Sequence, residues 1–201
     1  MFVLGLTGSI GMGKSVTAAI FREAGIPVHD SDAAVHALYR AAAVPLVVAA
    51  FPGTLRDGEI DRTRLSAYVV NDPAALARLE AIVHPLVRAE RAEFAAEARA
   101  SGADLIVLDI PLLFETGCEG EVDAVLLVTA PEDVQKARVA GRPGMTEAKL
   151  AAIIAKQMPD IDKRRRADMI LDTSLGHEEA ARQVRKLIDD IRAGRVARHH
   201  A

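Results

Sequence analysis

The sequence contains one cysteine, Cys118, and no tryptophan, and aromatic residues make up only 3% of its 201 positions. A single cysteine excludes an internal disulfide and fits a reducing compartment. With so few rings, the core must be built from Leu, Ile and Val, and the many alanines favour helices. No apolar run approaches the roughly 20 residues needed to span a bilayer. The start does not read as a secretory leader, because Phe2 to Leu6 has no basic flank and the apolar run is broken by Gly8, Ser9 and Gly11. An excess of basic charge is also missing. The formal net charge of -3 argues against a nucleic-acid binder held mainly by phosphate attraction. No spacing of Cys, His or carboxylates suggests a zinc site, and the tail Arg198-His199-His200 is too short to argue metal binding. The expectation is a cytoplasmic protein with neither membrane nor nucleic acid as partner.

What is present is the composition of a globular enzyme, half of it AVILMFWYC with 26% charged residues. The length suits one α/β core with a modest insertion. Phe2 to Thr7 is a continuous apolar run, the pattern of a strand buried on both faces. Lys14 to Ala24 carries helical spacing and stops before Gly25. Ile26 to Asp30, Asp104 to Ile110, Ala124 to Thr129 and Asp168 to Asp172 read as further strands. Helices are expected over Glu132 to Val139, Thr146 to Gln157 and His177 to Ala193. Strand and helix in alternation imply a parallel sheet wrapped by helices. Between Asp30 and Asp104 no convincing strand appears. Helix signals fill that interval, with Ser31 or Asp32 as a cap, Asp61 and Asp72 as later caps, and His84-Pro85 as an interruption before a long last helix.

Gly8-Ser9-Ile10-Gly11-Met12-Gly13-Lys14-Ser15 satisfies G-x-x-x-x-G-K-[ST] at every defined position, between a predicted strand and a predicted helix. Glycines let backbone N–H groups turn inward around a phosphate, and the helix N-terminus adds its positive end. Lys14 is expected to reach the β- and γ-phosphates and Ser15 to ligate Mg²⁺. A guanine-reading N-K-x-D segment is missing, so a small-molecule kinase using ATP is favoured over a GTPase.

Phosphoryl transfer to a hydroxyl needs a carboxylate that takes its proton, and Asp30 or Asp32 at the end of the second strand could supply it. Asp32 could equally be a helix cap. Asp109 closes the run Leu105 to Leu108 and suits an acid near the metal, directly or through water. The following loop, Pro111-Leu112-Leu113-Phe114-Glu115, is apolar enough for core packing or for a ligand wall. Arg138 and Arg142 lie in a segment that ends in a lid-like turn at Gly141 to Gly144, and His84 by itself is a weak candidate. Lys163-Arg164-Arg165-Arg166 reads as a solvated helix face or as a run that attracts nucleotide phosphates.

The order of these elements resembles the dephospho-CoA kinase family. The resemblance is carried by Gly5 to Ser15, Asp30-Ser31-Asp32, Ile82-Val83-His84-Pro85, Asp109 to Glu115 and Ala167 to Asp172, and it runs from Leu4 to about Ile191. It implies a P-loop α/β fold with a five-stranded parallel sheet, a helical insertion that binds the substrate, and a lid. Residues 1–30 and 101–201 would form the nucleotide core, with the lid at about 138–158, and 31–100 the CoA-binding insertion. The implied reaction moves the γ-phosphoryl group of ATP, with Mg²⁺, to the ribose 3′-hydroxyl of dephospho-CoA. By matching, Asp32, Lys14, Arg138 and Arg142 are the catalytic residues, and Gly8 to Val16 bind ATP. Asp30, Asp32, His84, Pro85, Leu112 and Leu113 meet the acceptor, and Ser15 with Asp109 serves the metal. A monomer is expected, with an oligomer left open. Asp61-Arg62 and Leu65 resemble a further family segment. The chain departs from the family pattern at Ser9, at Val16 and at Thr173.

Overall fold

A computed structural model of the chain describes residues 1–198, so His199 and His200 of the tail lie outside the described residues. The first compact unit comprises Met1–His29 together with the chain from Ala98 onward. Its sheet has the order β2-β5-β1-β6-β7, formed by β1 (Phe2–Thr7), β2 (Val28–Asp30), β5 (Leu105–Asp109), β6 (Ala124–Thr129) and β7 (Met169–Asp172). The ladders of β1 with β5, β1 with β6 and β6 with β7 are parallel. Every residue of β5 and β6 is buried, which explains why their sequences are continuous apolar runs rather than alternating ones. Because the chain leaves β1 for β2 on one side of it and later crosses from β5 to β6 on its other side, the carboxyl end of β1 is where the strand order reverses. Open α/β sheets bind ligands at that point.

Around this sheet lie α1 (Lys14–Glu23), α6 (Glu132–Ala140), α7 (Glu147–Ile154), α8 (Asp160–Arg166) and α9 (His177–Arg192). Helix α9 places Ala180, Ala181, Val184, Ile188 and Ile191 in the core, a stripe at helical spacing with polar residues between. Gly25 follows α1 with φ +78° and closes it as the sequence indicates.

The second unit is Asp30–Glu97. It holds α2 (Ser31–Leu38), α3 (Val44–Ala50), α4 (Arg62–Val69) and most of α5 (Pro73–Ala100). Three features differ from the sequence expectation. First, α2 is capped by Asp30, whose side chain accepts from Ala33 N at 3.0 Å, and neither Ser31 nor Asp32 has that role. Second, a two-stranded hairpin, β3 (Leu55–Arg56) with β4 (Glu59–Ile60), interrupts the helices. Its strands are too short to show alternation, but Asp57-Gly58, with φ +50° and +84°, is the turn pair that marks it. Third, His84-Pro85 does not break the chain: α5 is one helix of 28 residues with Pro85 inside it. Pro85 deprives the Ala81 carbonyl of its helical donor, yet Ala75, Leu79, Val83 and Val87 bury one face at four-residue spacing and hold the helix through it. His84 and Pro85 lie on the exposed face.

Candidate active site

The loop between β1 and α1 depends on three glycines. A Cβ at Gly8 would stand 2.8 Å from the Val128 carbonyl oxygen of β6. Gly11 and Gly13 have φ +79° and +91°, and a Cβ on Gly13 would meet Thr173 at 2.9 to 3.0 Å. Ser9 tolerates its place because, among the described residues, only Asp57 combines a side chain with positive φ. Gly13 caps α1 without a side chain, and no acidic residue occupies the first turn. The amides there therefore lack both a capping oxygen and an anion from the helix itself, the arrangement that receives a phosphate.

Lys14 and Asp109 are brought together from α1 and β5, with Nζ 2.5 Å from Oδ1. Asp109 is nearly buried, and the pairing keeps its charge compensated. Ser15 and Val16 are exposed on the first turn of α1. The oxygen donors Ser15 and Asp109 fit Mg²⁺, which uses one or two protein oxygens plus phosphates and water. A protein cluster of three ligands is absent among the described residues, and Mg²⁺ with a nucleotide does not require one.

The loop is supported from behind by Thr173 and by two residues that the sequence did not single out, Gln135 and Gln157. Thr173 Oγ donates to the Met12 carbonyl at 2.8 Å. Gln135 donates to the Ile10 carbonyl at 2.7 Å, and Gln157 accepts from the Ile10 amide at 3.2 Å. These contacts join positions more than 100 residues apart, so no local spacing announces them.

The two arginines of the lid-like turn part company. Arg142 is exposed just beyond α6. Arg138 is not on the turn but in the last turn of α6, donating to Thr173 Oγ at 2.8 Å, to Thr173 O at 2.7 Å and to Gly11 O at 3.4 Å. Helix α7 begins as expected at Thr146, whose hydroxyl accepts from Lys149 N, and it buries none of its residues.

The run Lys163 to Arg166 is exposed at Arg164, Arg165 and Arg166, as a solvated face requires, but not at Lys163. Lys163 is fully buried, with Nζ 2.9 Å from Glu115 Oε1, which also accepts from Met158 N at 2.8 Å. Arg164 donates to Thr129 Oγ and to Asp160, and Arg166 pairs with Glu119 and covers the Phe114 ring. Only Arg165, paired with Asp162, is a mainly solvent-facing cation of the kind expected. Within Pro111 to Glu115, Leu113 and Phe114 are core residues while Leu112 remains exposed.

In the second unit, Asp30 is occupied as the cap of α2 and Asp32 is exposed in its first turn. Capping therefore leaves Asp32 with its carboxylate in solvent, and the competing role anticipated for it falls to Asp30.

Residues 2–179 match the family model described as dephospho-CoA kinase. A dephospho-CoA kinase of Mesorhizobium japonicum is 62% identical over 195 residues, 97% of this chain and 99% of that one. A solved structure from Thermus thermophilus is 38% identical with a TM-score of 0.84, covering 93% of this chain and 95% of the other. The solved dephospho-CoA kinase of Campylobacter jejuni is 25% identical with a TM-score of 0.72, covering 96% and 98%.

Proposed function

The chain belongs to the dephospho-CoA kinase family, and from that premise we propose how its residues divide the work of moving a phosphoryl group from ATP to the acceptor, the last step of coenzyme A biosynthesis. The phosphate loop, Gly8 to Ser15 with Val16, holds the triphosphate. Lys14 offsets charge on the β- and γ-phosphates. The observation that carries this reading is the uncapped start of α1 beside the pair of a half-buried Lys14 with a buried Asp109.

Asp32 accepts the proton of the ribose 3′-hydroxyl as the new O–P bond forms and the γ-phosphorus parts from the bridging oxygen that leaves with ADP, and Asp30 holds the helix that presents it. Of the two arginines, Arg142 stabilises the transferred group, because its exposure leaves it able to meet a ligand. Arg138 contributes by keeping Thr173 and the loop in place. Bound Mg²⁺ would be held by Ser15 and Asp109 and would neutralise charge on the bridging phosphate oxygens. The insertion at 31–100 is the acceptor-binding domain, with His84, Pro85 and the exposed Leu112 as further acceptor contacts; Leu113 is fully buried in the core and is not among them. No helix among the described residues is long and apolar enough to cross a membrane.

Mass-spectrometric detection of CoA after mixing the protein with ATP and dephospho-CoA tests the activity. ADP formation with AMP or a nucleoside as acceptor, and none with dephospho-CoA, would reject it.

A further inference from the structure

The peptide groups on either side of Ile10 are held by two glutamines from different parts of the chain. Gln135 Nε2, from α6, donates to the Ile10 carbonyl at 2.7 Å, and the Ile10 amide donates to Gln157 Oε1 at 3.2 Å. Each partner fixes which end of the carboxamide faces the loop, since a carbonyl needs a donor and an amide needs an acceptor. The Ser9 carbonyl accepts from Met12 N at 3.1 Å. In a trans peptide the N–H and C=O point in opposite directions, so the Ile10 amide faces away from that turn. Gln157 therefore grips the loop from outside and leaves its cradle to the phosphates.

These glutamines stand at the two roots of the segment that carries Arg142. Gln135 lies ahead of it in α6, and Gln157 closes it beyond α7. Between the roots little fastens the segment to the rest of the protein. Helix α7 buries none of its residues. Among the described residues, the hydrogen bonds of 142–156 all end within 139–157. Just past Gln157 the anchoring is dense. Met158 N donates to Glu115 Oε1 at 2.8 Å, the oxygen that also meets Lys163 Nζ at 2.9 Å. Thr129 Oγ donates to Asp160 at 3.3 Å. The loosely held stretch thus ends at Gln157, and what Gln157 grips is the phosphate loop itself.

We infer that Gln157 is a positioning residue for phosphoryl transfer: through the Ile10 amide it pins the trailing root of the Arg142 segment to the loop that holds the triphosphate. The inference rests on the reading of Arg142 as the arginine that meets the transferred group. Gln135 and Arg138 pin the leading root, at the Ile10 and Gly11 carbonyls. With both roots on adjacent loop residues, the segment closes from a fixed base. Arg142 then reaches the γ-phosphoryl group in one place, and water is excluded. Releasing Gln157 leaves one root loose, and water competes with the acceptor. Its oxygen takes the γ-phosphoryl group as the bond to the bridging oxygen breaks, giving ADP and phosphate while the water proton passes to solvent.

Gln157→Met keeps the reach of the side chain and removes its strong acceptor. Together with Arg142→Ala and the double variant it completes a cycle read by kcat, by the ratio of ADP to CoA formed, and by melting temperature. Gln157→Met is expected to lower kcat about tenfold, the worth of one hydrogen bond, and to raise the ADP to CoA ratio above that of the parent protein. KM for dephospho-CoA stays near the parental value, and the melting temperature stays within about 4 °C of it. In the Arg142→Ala background the same substitution is expected to lower kcat less than about twofold, because the arginine it positions is gone. A loss repeated in full on Arg142→Ala, or an unchanged ADP to CoA ratio, would make Gln157 a structural contact only and overturn the inference. So would parental kcat in Gln157→Met while Arg142→Ala is impaired. Parental turnover in Arg142→Ala would reject the role given to Arg142 and the inference with it, and a parent protein that makes no CoA would reject the family activity, so the failures are distinguishable.

Discussion

Arg138 grips Thr173 at two points, donating to the hydroxyl at 2.8 Å and to the backbone carbonyl at 2.7 Å. The Thr173 hydroxyl in turn donates to the Met12 carbonyl at 2.8 Å. The phosphate loop is therefore held by a relay that starts on α6 and passes through the end of β7. A Thr173→Val substitution keeps the shape and removes the relay. The expected cost is about 1–3 kcal/mol of stability, with a rise in KM for ATP and little change in KM for the acceptor. Denaturant titration and two-substrate kinetics check both parts.

Gly13 tests the backbone itself. An alanine there would need a positive φ and would place its Cβ within 3.0 Å of Thr173. Gly13→Ala is expected to abolish measurable ATP binding while the rest of the sheet stays folded, as calorimetry together with circular dichroism would show. The open surroundings of Gly53, where no atom lies within 4 Å, leave only its φ of +80° to strain an alanine. Gly53→Ala is therefore expected to cost about 1 kcal/mol and to leave ATP binding intact.

Lys163 and Glu115 form a pair whose halves are not equivalent. The ammonium is fully buried, while the Glu115 side chain is 15% exposed. Glu115→Leu strands a buried charge and is expected to cost about 3–5 kcal/mol. Adding Lys163→Met to it should restore much of that loss, since an apolar pair needs no compensation. Urea unfolding of the two single variants and the double variant completes the cycle.

The adjacent acids of the second unit should separate by kind of effect. Asp32→Asn is expected to lower kcat by ~10²-fold or more with ATP binding retained. Asp30→Asn keeps a capping oxygen and should be mild, whereas Asp30→Ala should cost about 1 kcal/mol of stability through the lost cap. Normal turnover in Asp32→Asn would move the base to Asp30.

Asp172 gives an acid dependence. Hydrogen bonds from Ser174, first from its side chain and then from its backbone amide, hold the carboxyl below its ordinary value of 3.8. A depressed value means that the folded protein binds this proton less readily than the unfolded chain. The stabilisation is complete above about pH 4 and is lost as the pH falls through the lower folded value. Asp172→Asn should flatten the stability profile below pH 4. Melting temperatures of both proteins across pH 2.5 to 6 would show the difference.

Much of the core could be read from the chain because its signals are local. The apolar runs at β1, β5 and β6 need no partner to be recognised, and the eight residues from Gly8 to Ser15 contain both the glycines and the cation that a phosphate requires. Pro85 misled because proline breaks helices by a local effect, and a buried stripe from Ala75 to Val87 outweighed it. Lys163 misled for the same reason in reverse. Its charge looked solvated until Glu115 arrived from another loop.

The sequence by itself carried the expectation of a nucleoside-triphosphate site between the first strand and first helix, because such a site resides in contiguous backbone conformation. Its order of motifs also placed it among dephospho-CoA kinases. Tertiary structure alone decided which side chains stand around those motifs: Arg138 and Thr173 behind the loop, Asp30 rather than Asp32 as a cap, and His36 against Arg62. Such pairings depend on angle and distance between elements far apart in the chain, and hydrophobic burial, which is non-directional and sets the elements in place, leaves no local pattern from which to read them.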